Sequence, residues 1–163
     1  MKERKNNKMI SIIVPCYNEE EGIEKFYIET KKVIDQINNE YDYELLFIDD
    51  GSKDETLNKV KKIGQNDENI RIISFSRNFG KEAAMYAGLE NFIGDYVVIM
   101  DADLQNDPRI ILDMINGIKE GYDVVTTCRN RKGESIVKSL FSRIFTKLLF
   151  PVPHPPSIPI SRT

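Results

Sequence analysis

Apolar residues along the chain follow two different spacings. Short, nearly uninterrupted apolar runs, typical of strands buried on both faces of a sheet, occupy residues 9–15, 43–48, 70–75, 96–100 and 123–127. Between these runs lie predicted helices over residues 18–39, 54–65, 81–91 and 108–120, in most of which apolar residues recur every three or four positions. Strand and helix alternate with short connections. This alternation predicts an α/β fold with a mostly parallel sheet and helices on both faces.

Local signals refine the helices. Asn18 with Glu21, and Ser52 with Glu55, have the spacing of capping boxes and predict side-chain caps at two helix starts. Gly121 predicts the end of the helix over residues 108–120. The helix over residues 81–91 carries small residues that should let it approach the sheet closely: Ala83, Ala84, Ala87 and Gly88.

The remaining segments suggest one domain with two tails. Residues 9–150 contain no internal repeat or linker, residues 1–8 are polar, and residues 151–163 are rich in proline and predict an extended or disordered tail. Residues 135–150 form a basic amphipathic pattern that predicts a helix. Such a helix either lies on a membrane surface or packs on its own domain.

Composition excludes some classes of protein. The net charge of −3 argues against a general nucleic-acid binder. No apolar run approaches the roughly 18 residues of a membrane span, and the N-terminus lacks the apolar stretch of a signal peptide. Cys16 and Cys128 are too far apart in sequence for a metal-spaced or redox pair, and their apolar surroundings predict buried free thiols in a reducing compartment.

The strand over residues 96–100 ends in two carboxylates, Asp101 and Asp103. In an extended segment they project to the same side, where they repel each other unless a cation lies beside them. Mg²⁺ or Mn²⁺ prefers oxygen ligands and also bridges phosphates. The structural alternative is a solvated turn that leads into a helix at Asp107 and Pro108.

Polar or acidic residues follow three of the predicted strands, at residues 15–19, 49–52 and 101–103. Because the carboxyl ends of parallel strands meet at one edge of a sheet, these segments predict a single acidic crevice for a ligand. Neither a dinucleotide-binding glycine motif nor a P-loop is present. A carboxylate could still accept hydrogen bonds from a base or ribose, and Arg129 could bind phosphate, unless it lies in a solvated loop.

The ordered motifs resemble the inverting family-2 glycosyltransferases, which have the GT-A (Rossmann-like) fold. The resemblance rests on Val-Pro-Cys-Tyr-Asn-Glu at 14–19, Asp-Asp-Gly-Ser at 49–52 and Asp-Ala-Asp-Leu-Gln at 101–105. Arg-Asn-Phe-Gly-Lys at 77–81 and Gly-Tyr-Asp-Val-Val at 121–125 resemble the branch with dolichol-phosphate mannosyltransferase and the bacterial polyprenyl-phosphate glycosyltransferases.

The resemblance implies transfer of a sugar, with inversion, from a UDP- or GDP-linked donor to a polyprenyl phosphate at the cytoplasmic face of a membrane. It implies Mg²⁺ or Mn²⁺ as cofactor, held by Asp101, Asp103 and Gln105, with Asp103 as main ligand. Asp101 and Asp103 would be the catalytic residues. The donor pocket would comprise Pro15, Tyr17, Glu19, Ile48, Asp50, Asp101, Ala102, Asp103, Gln105 and Arg129, with Asp49 supporting the turn.

The end of the chain departs from this family, whose members continue with acceptor-side residues and, in many bacterial proteins, transmembrane helices. We therefore expect a truncated chain. One alternative is a nucleotide-sugar-binding module without turnover, and another is transfer to a polysaccharide. A sugar nucleotidyltransferase ranks last because its loop after the first strand is usually glycine-rich and basic, whereas residues 15–21 are acidic.

Overall fold

A computed structural model describes residues 7–103 and 107–126. Its four strands are β1 (Lys8–Cys16), β2 (Tyr41–Asp49), β3 (Ile70–Ser74) and β4 (Tyr96–Ile99). They form one parallel sheet in the order β3-β2-β1-β4. The helices are α1 (Ile23–Ile34), α2 (Thr56–Asn66), α3 (Lys81–Asn91) and α4 (Ile110–Lys119). The predicted parallel α/β architecture is confirmed.

The chain divides into two compact units, Met1–Leu112 and Asp113–Thr163. The first contains the sheet and α1 to α3. The described part of the second contains the C-terminal part of α4 and the turn at Gly121, whose φ of 95° ends the helix as predicted. Among the described residues, no helix has the length and apolar character needed to cross a lipid bilayer.

Both faces of the central strands are buried. On one face, Phe26 of α1 packs edge-on against Phe47 of β2, with ring centroids 6.4 Å apart. On the other face, Ala84 of α3 packs with Ile13 of β1 and Leu46 of β2 in a fully buried cluster. Helices therefore cover both faces, and the double burial explains why β1 and β2 are continuous apolar runs.

The small residues of α3 permit the close packing that the sequence predicts. A Cβ atom built on Gly88 would lie 2.3 Å from Cγ2 of Ile13. No side chain fits at that distance, so α3 can lie this close to β1 only because residue 88 is glycine. The position of α3 in turn determines where its N-terminus, at Lys81, lies along the edge of the sheet.

The two predicted capping boxes are wrong. The N-cap residues are Gly22 for α1 and Glu55 for α2, and neither makes a side-chain cap. Asn18 instead has a φ of 53°, and its Oδ1 accepts a hydrogen bond from the backbone N–H of Lys53 at 2.9 Å. The Ser52 hydroxyl accepts from the backbone N–H of Asn18 at 3.0 Å. The predicted caps thus join the loops after β1 and β2 to each other.

Two further predictions, one for a strand and one for the N-terminal tail, differ from the structure. The predicted strand over residues 123–127 is absent from its described part, residues 123–126, where Val124 is 67% exposed. Lys8, predicted to belong to a tail, lies in β1, where its ammonium donates to the Tyr96 hydroxyl. Several predictions lie outside the described residues: Gln105, Cys128, Arg129, the helix over 135–150 and the tail over 151–163.

Candidate functional site

A cavity of about 270 Å³ opens in the first unit, at the carboxyl ends of β1, β2 and β4. Its lining contains residues from the ends of all three strands and from the start of α3. They are Pro15, Cys16, Tyr17, Glu19, Asp50, Asn78, Gly80, Lys81, Ala84, Asp101, Ala102 and Asp103. The predicted meeting of three strand ends at one edge is confirmed.

Most of the predicted donor-site residues meet in this cavity. Pro15, Tyr17, Glu19, Asp50, Asp101, Ala102 and Asp103 all belong to its lining. Ile48 does not. Its side chain is fully buried in the core cluster beneath α3, and it has no exposed surface with which to contact a base. The prediction for Ile48 is therefore wrong for its side chain.

Cys16 lines the cavity as a buried free thiol. Its Sγ donates to the Ile48 carbonyl at 3.6 Å. Burial, and then the nearby carboxylates, raise the pKa of the Cys16 thiol to about 12. Both effects favour the neutral thiol over the thiolate, which is the reactive form, so the surroundings of Cys16 disfavour a nucleophilic role.

The two aspartates after β2 fix the loops around the cavity. The carboxylate of Asp49 accepts hydrogen bonds from the backbone N–H of Ser52 at 3.1 Å and from the Ser74 hydroxyl at 2.8 Å. This is the turn-supporting role predicted for Asp49. Asp50 accepts through one oxygen from the N–H of Phe79 at 2.7 Å and through the other from the N–H of Gly80 at 2.9 Å.

The loop over residues 77–81 forms one wall of the cavity, and sequence reasoning assigned no role to it. A Cβ atom on Gly51 would lie 2.4 Å from the backbone carbon of Arg77, so this loop packs directly against the turn after β2. Gly80, with a φ of 99°, leads into α3. The motif was visible in the sequence, but its contact with Asp50 depends on strands and helices that are distant along the chain.

Lys81, the first residue of α3, carries a cationic group into the cavity. Its Nζ lies 2.5 Å from Oδ1 of Asp101, and the two side chains are 54% and 35% exposed. Among the described residues that line the cavity, Lys81 is the one lysine or arginine, against the carboxylates of Glu19, Asp50, Asp101 and Asp103. The cavity therefore has a net negative charge.

The effect of this charge is visible at Glu19. Burial, followed by the carboxylates of Asp103, Asp54 and Asp101, raises the pKa of the Glu19 carboxyl above its usual value. Like charges around a partly buried acid favour its neutral form. The same arrangement favours a bound cation, which would relieve the repulsion.

We expect Glu19→Gln to raise the melting temperature at pH 7. A carboxyl whose pKa is raised in the folded state destabilises the fold wherever it is ionised, and this cost disappears below the unfolded-state pKa, close to 4.5. The gain should therefore vanish in melts recorded below pH 4.5. Glu21→Gln, at an exposed position of the same loop, should give no such pH-dependent gain, and an equal gain in both variants would contradict the assignment.

The described residues supply two candidate metal ligands at the end of β4, Asp101 and Asp103. Among residues 7–103 and 107–126, no group of three or more metal-ligating side chains is placed to hold an ion. Mg²⁺ is often bound through one or two carboxylates together with substrate phosphates and waters. Asp101 and Asp103 are therefore candidate ligands for a divalent cation of that kind.

Comparison with known proteins identifies the family. Residues 11–155 match the profile described as Glycosyl transferase family 2. The chain is 46% identical, over 141 residues, to the glycosyltransferase CsbB of Bacillus subtilis, covering 86% of this chain and 42% of that protein. It is 35% identical, over 150 residues, to the undecaprenyl-phosphate 4-deoxy-4-formamido-L-arabinose transferase of Shewanella sediminis, covering 91% of this chain and 45% of that protein.

A solved structure supports the fold. The mannosyltransferase PcManGT from Pyrobaculum calidifontis, in complex with GDP-Man and Mn²⁺, superposes with a TM-score of 0.63 over 78% of this chain and 37% of that one. At 23% identity this likeness concerns the fold, which is that of the GT-A glycosyltransferases. The chain spans less than half the length of each of these three proteins.

Proposed function

Because this chain belongs to glycosyl transferase family 2, we propose that its cavity binds a UDP- or GDP-linked sugar and that the sugar is transferred to a polyprenyl phosphate. The observation that carries the proposal is the position of Asp101 and Asp103. They lie at the end of a parallel strand, in a cavity bounded by two other strand ends. Ligands of open α/β sheets bind at this edge.

The polarity of the cavity supports a nucleotide diphosphate as ligand. Asp101 and Asp103 would hold Mg²⁺ or Mn²⁺, and such an ion would offset the charge that develops on the leaving diphosphate. Asp50 lines the same cavity. Its oxygens already accept two backbone hydrogen bonds, but a carboxylate has about four acceptor positions, so it can also accept from a base or a ribose hydroxyl.

A phosphate acceptor suits direct displacement with inversion. A phosphate oxygen would attack the anomeric carbon, the bond from that carbon to the diphosphate oxygen would break, and the nucleoside diphosphate would leave with the electron pair. Because a phosphate is already anionic, the step needs little help from a general base. The relative that is named for undecaprenyl phosphate supports the choice of acceptor. A lipid acceptor would place the protein at the cytoplasmic face of a membrane.

Two alternatives remain as outcomes of experiment. The chain could bind a nucleotide sugar without turnover. It could also transfer the sugar to a polysaccharide. Labelled sugar appearing on undecaprenyl phosphate would support the proposal, and binding of the donor without transfer to the lipid would support one of the alternatives.

The first test is calorimetric titration with UDP and with GDP, each with and without Mn²⁺. We expect one nucleotide to bind in a Mn²⁺-dependent manner, and its identity would give the base of the donor. A melting curve on the same sample establishes that the protein is folded. Folded protein that binds neither nucleotide under either condition would contradict the proposed donor site.

A further inference from the structure

We propose that Lys81 has two partners: it neutralises Asp101 when no cation is bound there, and it binds the diphosphate once a divalent cation has taken its place on Asp101. This inference rests on the proposed function, which it deepens by assigning a residue that the sequence left without a role. The proposal depends on a contact, on the position of Lys81 in α3 and on the charges of the cavity.

The contact shows that the ammonium and a metal ion would compete. Nζ of Lys81 lies 2.5 Å from Oδ1 of Asp101, which is one of the two carboxylates placed to hold a cation. An ammonium at this distance occupies one acceptor position of the Asp101 carboxylate. A metal ion that takes this position displaces the ammonium, and a metal ion at another position of the same carboxylate is repelled by it.

The surroundings allow that displacement. Lys81 is anchored at its backbone, because Asp50 holds the adjacent Gly80 by its N–H at 2.9 Å. The side chain itself is 54% exposed, and a lysine ammonium sits on a flexible four-carbon stem. The ammonium can thus move by rotation of its own side chain while α3 stays in place.

The position in the helix indicates a role other than stabilising α3. Lys81 is the first residue of α3, where the helix dipole favours an acidic side chain and disfavours a cation. A lysine at this position destabilises the helix, and the contact with Asp101 offsets this loss of stability. An anionic ligand near the start of α3 would be attracted both by the lysine ammonium and by the positive end of the helix dipole.

The charges of the cavity explain why a diphosphate would need Lys81. The carboxylates of Glu19, Asp101 and Asp103 all line the cavity and repel an incoming anion. Among the described residues of the lining, Lys81 carries the one ammonium or guanidinium group. Once displaced from Asp101, the ammonium can pair with a phosphate oxygen bound in the same cavity.

The test compares Lys81→Met and Lys81→Arg with the parent chain. Binding of Mn²⁺ alone is measured by the loss of the free-ion paramagnetic resonance signal, and binding of UDP and GDP with Mn²⁺ by calorimetry. For Lys81→Met we expect Mn²⁺ alone to bind about fivefold more tightly, because Asp101 is released, and the nucleotide to bind about tenfold more weakly. Lys81→Arg should recover most of the nucleotide affinity. Lys61→Met, at an exposed position of α2, should change neither.

The outcomes separate this inference from the proposed function. Nucleotide binding by the parent chain, with both affinities of Lys81→Met within twofold of it, would overturn the role of Lys81 and leave the donor site intact. An ordinary surface ion pair would give that result. A parent chain that binds neither nucleotide would overturn the donor site together with the diphosphate contact, and the Mn²⁺ titration would still decide whether Lys81 competes for Asp101.

Discussion

Glu44→Ala is expected to lower the free energy of unfolding by about 3 kcal/mol, the largest loss of stability that we predict for a single truncation in this chain. Glu44 lies in β2 and is 2% exposed, so its carboxylate has almost no contact with solvent. The carboxylate is instead held by three partners. Its removal would leave polar groups in the interior without an acceptor, and such groups have a high desolvation cost.

The partners of Glu44 come from three different parts of the chain. One oxygen accepts from the Ser11 hydroxyl of β1 and from the backbone N–H of Ile93 at 2.8 Å. The other lies 2.7 Å from Nη1 of Arg71 in β3. Arg71 also donates to the carbonyl of Asn91 at 2.9 Å. The network therefore holds the connection between α3 and β4 against three strands of the sheet.

Equilibrium unfolding in urea measures the effect, with matched variants as controls. Glu44→Gln keeps the shape and one acceptor oxygen, so it should lose less stability than Glu44→Ala. Glu68→Ala, at an exposed position before β3, should change stability by no more than about 0.5 kcal/mol. Because Arg71 is 39% exposed, Arg71→Ala should lower the free energy of unfolding by less than Glu44→Ala does. A loss for Glu44→Ala as small as that of Glu68→Ala would contradict the role of the network.

The architecture could be predicted from the sequence because strands that are buried on both faces consist mostly of apolar residues. The runs that form β1 and β2 are apolar on both faces, and this is the signature of strands covered by helices on both sides. The acidic strand ends were equally visible, since each follows an apolar run directly. Parallel pairing then brings them to one edge, which is why Asp50, Asp101 and Glu19 meet in one cavity as predicted.

What the sequence did not predict depends on contacts between distant segments. The sequence predicts Glu44 only as part of an apolar strand, because nothing near it in sequence indicates that Arg71 and Ser11 contact its carboxylate. Asn18 and Ser52 have the spacing of helix caps, but their side-chain oxygens can accept hydrogen bonds from other backbone N–H groups as well. The structure uses both to join the loops on either side of the cavity.

The second large effect is expected at the proposed cation site. Asp103→Asn should weaken Mn²⁺-dependent nucleotide binding by at least about 100-fold, since changes outside the ligand shell of a metal already cost 10- to 100-fold. The fold should be preserved, because Asp103 is exposed beyond the end of β4 and no strand residue changes. Calorimetry with UDP and GDP in the presence of Mn²⁺ measures the loss, and the melting temperature without metal measures the fold.

The charge of Asp103 also provides a readout that does not require a nucleotide. Among the carboxylates that raise the pKa of the Glu19 carboxyl, Asp103 contributes most, after burial itself. Asp103→Asn should therefore lower that pKa towards its usual value, and a pH titration of the Glu19 side-chain carbonyl carbon by NMR would measure the shift. Asp35→Asn removes one charge at a 52% exposed position after α1 and should change neither the pKa nor the binding. If Asp103→Asn shifts the Glu19 pKa but binds the nucleotide with Mn²⁺ as tightly as the parent chain, then Asp103 belongs to the acidic cluster and does not hold the cation.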